Sequence, residues 1–107
     1  MNIKNQILKT CLKLIPIYRS ITGNGNLKTL KILKEVNKDL KILRFKSGKK
    51  VYDWRVPKVW EIYDAWIKDD RNIKILDFKK NFLHVVGYSL NVNKTFNHKK
   101  LLIAVWG

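Results

Sequence analysis

The sequence predicts an α+β fold with two amphipathic helices in the first 38 residues and about five short antiparallel strands after them. Three observations carry the prediction. Apolar residues recur at helical spacing up to about Asn37, the apolar period shortens to two from Lys41 onward, and turn-forming clusters separate the later runs. Helices segregated from strands along the chain favour α+β over an alternating α/β plan.

The first helix is expected over residues 2 to 14, where Ile3, Ile7, Leu8, Cys11, Leu12 and Ile15 repeat with lysines between them. Pro16 ends it, because proline lacks the N–H and disfavours helical geometry at Ile15. Tyr18-Arg19-Ser20-Ile21-Thr22-Gly23-Asn24-Gly25 is then a polar connection. Gly23 and Gly25 suit backbone at positive φ, and Thr22 or Asn24 offers an N-cap for the next helix. Leu27, Leu30, Leu33 or Lys34, Val36 and Leu40 mark the second amphipathic helix, expected to end near Asn37.

Beyond Lys41, Ile42 and Arg44 oppose Leu43 and Phe45 as a short strand. Ser47-Gly48-Lys49 forms a turn, and Val51 to Val56 is the expected partner strand. Pro57 marks a strand end, an edge or a bulge. The longest alternating run is Trp60 to Ile67: Trp60, Ile62 and Trp66 share one face with Asp64, and Tyr63, Ala65 and Ile67 share the other with Glu61. Asp69-Asp70-Arg71-Asn72 supplies a turn, and Ile73 to Phe78 is the returning strand of a hairpin. A third run, Phe82 to Tyr88, is expected to complete the sheet.

The chain has 107 residues, enough for one modest core, and 46% of them are hydrophobic. The formal net charge is +15, from 23 lysines and arginines against 8 carboxylates. Such a balance raises nucleic acid, an anionic surface or an acidic protein as partners. The cations are mostly lysines dispersed among isoleucines and asparagines, a mix that an AT-rich coding sequence also produces, and dispersed lysine reads first as solvated surface. Aromatics among lysines suit stacking of single-stranded nucleic acid, yet strand alternation assigns half of them to the core. A dedicated nucleic-acid role is therefore the less favoured reading. The single cysteine, Cys11, excludes an internal disulfide and multi-cysteine zinc motifs, and its apolar helical setting predicts a buried, inert thiol. No run approaches the ~20 apolar residues of a membrane span, and the N-terminus lacks the pattern of a signal peptide. The expected location is the cytoplasm, with no membrane partner.

Candidate chemistry is sparse. Thr22 to Gly25 before a helix suits an anion at a helix N-terminus, but lacks the spacing of a phosphate loop and reads better as an inter-helix connection. Arg19 is either a partner for a carboxylate or phosphate or a bidentate anchor within the fold. His84 lies in an apolar run and reads as a hydrogen-bonded core or edge residue, and His98 has no companion ligand. Asp53, Asp64, Asp69, Asp70 and Asp77 read as turn and strand-end residues. No nucleophile, base and orienting group fall together. The residues themselves assign no catalytic, cofactor-binding or metal-binding position.

Three ordered motifs carry a resemblance. They are Tyr18 to Gly25; Asp53-Trp54-x-Val56-Pro57-x-x-Trp60 with Asp64 to Asp69; and Asp77 to Val86 followed by Tyr88-Ser89. Over about residues 12 to 95 the chain resembles the N-terminal part of a bacterial family of zinc-aminopeptidase-like hydrolases, whose members are often described as polysaccharide-biosynthesis proteins. Asn26-Leu27 departs from the family's usual pattern. The resemblance implies that residues 1–38 belong to an aminopeptidase-like domain, that 39–93 form an inserted β-rich domain, and that 94–107 are a divergent tail. It also implies zinc ligands and a catalytic carboxylate downstream, outside this chain, so that none of its residues carries over as a ligand. The expectation is an N-terminal fragment of a truncated, split or frame-shifted gene, not catalytic alone, whose partner is the remainder of the peptidase. Lys99 to Gly107 departs from the family pattern and is expected to add an edge strand or stay exposed. The alternative is a small basic module that binds nucleic acid or an acidic protein.

Overall fold

The computed structural model describes residues 2–101. Helix α1 spans Ile3–Leu14 and α2 spans Asn24–Val36. Four short strands follow: β1 (Lys50–Val51), β2 (Trp54–Arg55), β3 (Trp66–Lys68) and β4 (Lys74–Asp77), then a 3-10 turn at Phe82–His84. The fold is α+β, as expected, with four strands among the described residues where about five were expected.

Both helices form where the periodicity places them. Asn2 caps α1 by accepting the Asn5 N–H at 2.9 Å, and Pro16 follows directly on the C-cap residue Ile15. Helix α2 begins at Asn24, and its N-cap is Gly23 at φ 108°, which makes no side-chain cap bond. The capping role expected of Thr22 or Asn24 passes instead to a distant carboxylate, described below. Arg19 donates to the Leu14 carbonyl at the end of α1 (2.9 Å) and to Thr29 Oγ1 on α2 (3.3 Å). Its positive charge thus sits at the negative end of α1 while tying the two helices together. An exposed Lys13–Glu35 pair at 3.4 Å adds little.

The strands differ more. Residues 42–45 form no strand, and the expected partner run 51–56 folds back on itself. Lys50 pairs with Arg55 and Val51 with Trp54 around a two-residue turn, with Tyr52 at φ 51°. Gly48 N–H donates to the Val56 carbonyl and Val56 N–H to Lys49, which closes the base of this hairpin. Three of the four residues 42–45 are apolar, so the run lacks the polar alternation of a half-buried strand. The hairpin β3–β4 is the one expected, in part: Trp66 pairs with Asp77, Ile67 with Leu76 and Lys68 with Lys74, with a register shift between Ile67 and Lys68. Asp69 Oδ1 accepts the N–H groups of Arg71 and Ile73 and holds the connecting turn. The first six of the eight residues of the alternating run, Trp60 to Ala65, are not strand. Phe82 to Tyr88 is not strand either: the Asp77 carbonyl accepts the N–H groups of both Lys80 and Asn81, and Asn81 caps the 3-10 turn through Leu83. Two separate two-stranded sheets result.

Cys11 is exposed, against the expectation of a buried thiol. It lies on α1, where Ile7, Leu8 and Leu12 are also more than half exposed. A thiol reagent such as 5,5′-dithiobis(2-nitrobenzoate) should therefore label one thiol per chain rapidly without denaturant. Labelling only after unfolding would contradict this placement. The apolar tail from 102 to 107 lies outside the described residues.

Candidate functional site

The segments that the three motifs mark, far apart in sequence, meet at one place. The meeting point is an aromatic cluster. Tyr18 meets Phe78 and Phe82 edge-on, with centroids 5.0 and 5.6 Å away, and lies 6.3 Å from Trp60. Phe78 stacks on Phe82 at 5.1 Å, and Trp60 stacks on Tyr88 at 5.9 Å. Among the described residues only Phe78 and Asp77 are buried, at 6% and 7% exposure. This cluster is the core.

Polar groups lock its rim. Thr22 Oγ1 lies 2.7 Å from the Tyr88 hydroxyl and accepts the Trp60 N–H at 3.0 Å. The Tyr88 hydroxyl donates to the Lys58 carbonyl at 2.9 Å, and the Trp60 indole N–H donates to Ser89 at 3.0 Å. One threonine hydroxyl therefore joins the inter-helix loop to two other segments. Glu61 completes the junction: its Oε1 accepts the Asn24 N–H at 2.6 Å, and Oε2 lies 3.4 Å from Asn24 Nδ2 and from the Tyr63 hydroxyl. A carboxylate at the positive end of α2 does what an N-cap side chain does. The helix N-terminus that could cradle an external anion thus already holds an internal one. A cleft of ≈ 320 Å³ opens beside it, between Tyr18, Lys28, Glu61 and Tyr63.

The glycines explain themselves here. Gly25 passes so close to residue 18 that a Cβ would lie 1.8 Å from the Tyr18 carbonyl oxygen, and at Gly23 a Cβ would meet the Trp60 carbonyl oxygen at 3.0 Å. Glycine is demanded by close backbone approach at the first and by positive φ at the second. We expect Glu61→Ala to lower stability by about 1–2 kcal/mol, as loss of a cap does, with Glu61→Gln recovering part of it. Urea unfolding followed by tryptophan fluorescence would measure both.

The other candidates occupy structural positions. Backbone N–H of Asp77 donates to His84 Nδ1 at 3.0 Å, which pins the 3-10 turn to the end of β4. His84 is exposed, so it is an edge residue and not a core one. The Asp77 carboxylate accepts the Lys79 N–H and pairs with Lys74 at 3.7 Å; Asp64 pairs with Lys79 at 3.6 Å, and Asp69 with Arg71 at 3.5 Å. Asp53, Asp70 and His98 are exposed. No three His, Cys, Asp or Glu side chains among the described residues come together as a metal-ligand set. They do not fit the zinc that the resemblance implies for intact relatives, and no chemical step is derived through it. No helix among the described residues is long and apolar enough to cross a membrane. Glu61 and the Thr22–Tyr88 contact escaped sequence reading, because partners 37 and 66 residues apart leave no local signal.

Fold and site together define an α+β module of two helices and two hairpins, in which the inter-helix loop, the end of the β3–β4 hairpin and the segments around Trp60, Phe82 and Tyr88 meet in an aromatic junction. The chain belongs to the family described as a domain of unknown function (DUF4910), whose model matches residues 8–104. A relative from Clostridium acetobutylicum, provisionally named a polysaccharide biosynthesis protein with an aminopeptidase-like domain, is 48% identical over 89 residues. The match covers 83% of this chain and 20% of that protein. A crystal structure of a protein from the same organism, provisionally termed a peptidase, superposes with a TM-score of 0.86 at 44% identity, covering 92% of this chain and 23% of that one. The chain thus spans about a fifth of the length of the relatives it matches. The resemblance read from the three motifs is borne out.

Proposed function

We propose that this chain is the N-terminal, structural portion of an aminopeptidase-like zinc hydrolase and is not catalytic alone. The observation that carries the proposal is its unfinished burial. The chain exposes 9894 Å², against roughly 6,200 Å² for a compact monomer of its mass of 12.7 kDa. Its radius of gyration is 18.5 Å, where a compact domain of this length has about 13 Å. Ile3, Ile7, Leu8, Leu12 and Ile15 along α1 stand 57–75% exposed. An amphipathic helix with its apolar face in water calls for a covering body. The similarity to one part of a much longer peptidase-like chain supports the same reading. Metal and catalytic carboxylate would come from that body, and this chain would contribute packing surface.

The experiment has two arms. The purified chain with added zinc should neither retain the metal after desalting nor cleave aminoacyl p-nitroanilides. Turnover would overturn the non-catalytic assignment. The Clostridium acetobutylicum relative, expressed without its matching segment, should co-purify with this chain. Failure of a folded remainder to associate would overturn the packing role.

A further inference from the structure

The stretch Arg44 to Lys58 carries chemistry that the aminopeptidase-like reading does not use. It holds six cations (Arg44, Lys46, Lys49, Lys50, Arg55 and Lys58) and one carboxylate, Asp53. All seven are exposed. Among the described residues none takes part in an ion pair, whereas Glu35, Asp64, Asp69 and Asp77 elsewhere each hold a lysine or arginine. Phe45, Tyr52 and Trp54 lie among these cations, and the sequence reading placed such aromatics half in the core. They are instead 60%, 92% and 52% exposed. Tyr52 stands at the tip of the β1–β2 hairpin, held at φ 51°. Lys49 sits over the Phe45 ring at 5.2 Å, so cation and ring already share one surface.

From this we infer that the β1–β2 hairpin and the segment leading into it bind single-stranded nucleic acid. Phosphates would meet these lysines and arginines, which no carboxylate neutralises among the described residues, and unstacked bases would lie on the exposed rings. Duplex bases are stacked on each other and leave the rings no face. An acidic protein surface satisfies the cations but offers Tyr52 and Trp54 no planar partner. The inference is independent of the hydrolase reading.

The test uses the full chain and a fluorescein-labelled oligothymidylate of about 16 nucleotides, long enough for one site. Anisotropy at low salt should give a Kd within about 1–100 µM. The slope of log K against log salt should be about −2 or steeper, which corresponds to three phosphates at about −0.7 each. Tyr52→Asn keeps a residue that tolerates positive φ and should weaken binding about fivefold or more, as should Phe45→Ser. Neither substitution removes charge, so the salt slope should stay unchanged. Circular dichroism confirms that both variants remain folded; because both side chains lie mostly in solvent, either one can decide the question if the other fails to fold. Wild-type affinity in the aromatic variants would reduce the binding to charge alone and overturn the inference. Equal competition by duplex DNA or poly-glutamate would overturn it as well.

Discussion

Gly25→Ala should destabilise the fold by more than about 3 kcal/mol, enough to leave a chain of ordinary stability largely unfolded. The new Cβ would lie 1.8 Å from the Tyr18 carbonyl oxygen, a backbone atom that no rotamer change can move aside. Relief requires the start of α2 to shift away from residue 18. That shift would also pull Asn24 from Glu61 and Thr22 from Tyr88, since both bonds start from the same loop. The substitution therefore disturbs cap, hub and core together. Far-UV circular dichroism and urea unfolding would measure it; a variant within about 0.5 kcal/mol of the parent, the effect of an ordinary surface change, would show that the approach of Gly25 to Tyr18 is not structural. Ala is otherwise the better helix former, so helix propensity alone predicts the opposite sign.

Phe78→Ala is expected to cost about 3–5 kcal/mol, the usual range for an aromatic removed from a core. Phe78 is the one buried apolar side chain among the described residues, and its ring meets both Tyr18 and Phe82. Its own N–H donates to the Ala65 carbonyl at 2.9 Å, so the ring is held at the root of the β3–β4 hairpin. Among the described residues no second core compensates for its loss. Trp60, stacked on Tyr88 nearby, should report the loss as a red-shifted, quench-accessible emission. By contrast Ile75→Ala, at a position 63% exposed on β4, the strand that leads into Phe78, should fall within about 0.5 kcal/mol of the parent. Equal effects at the two positions would show that Phe78 is not the centre of packing.

The functional reading and these stability predictions share one cause. With one apolar side chain buried among the described residues there is little internal margin, and the exposed apolar face of α1 indicates where further burial is available. Association with a covering body should therefore raise the unfolding midpoint of this chain, because a ligand that binds only the folded form stabilises it by mass action. The exposed hairpin is separate from that face in sequence and in chemistry: α1 offers isoleucine and leucine, whereas the hairpin offers lysine, arginine and aromatic rings.

Local pattern was enough for the helices and for the β3–β4 hairpin. The spacing of Ile3, Ile7 and Leu8, the stop at Pro16 and the Asp69–Asn72 turn are each decided within a few residues, so the sequence alone determined them. It also determined the resemblance, through three motifs whose spacing survives intact. Where the alternation from Trp60 to Ala65 and the apolar run from Phe82 to Tyr88 were expected as strand, tertiary contacts decided otherwise. Trp60 and Tyr88 are held by Thr22 and by each other, and Phe82 by Tyr18 and Phe78, so these rings answer to partners from distant segments and not to a ladder neighbour. The exposure of Cys11 and of the hairpin aromatics was equally invisible in sequence. Periodicity says which side chains share a face; only the folded arrangement says whether anything lies against that face.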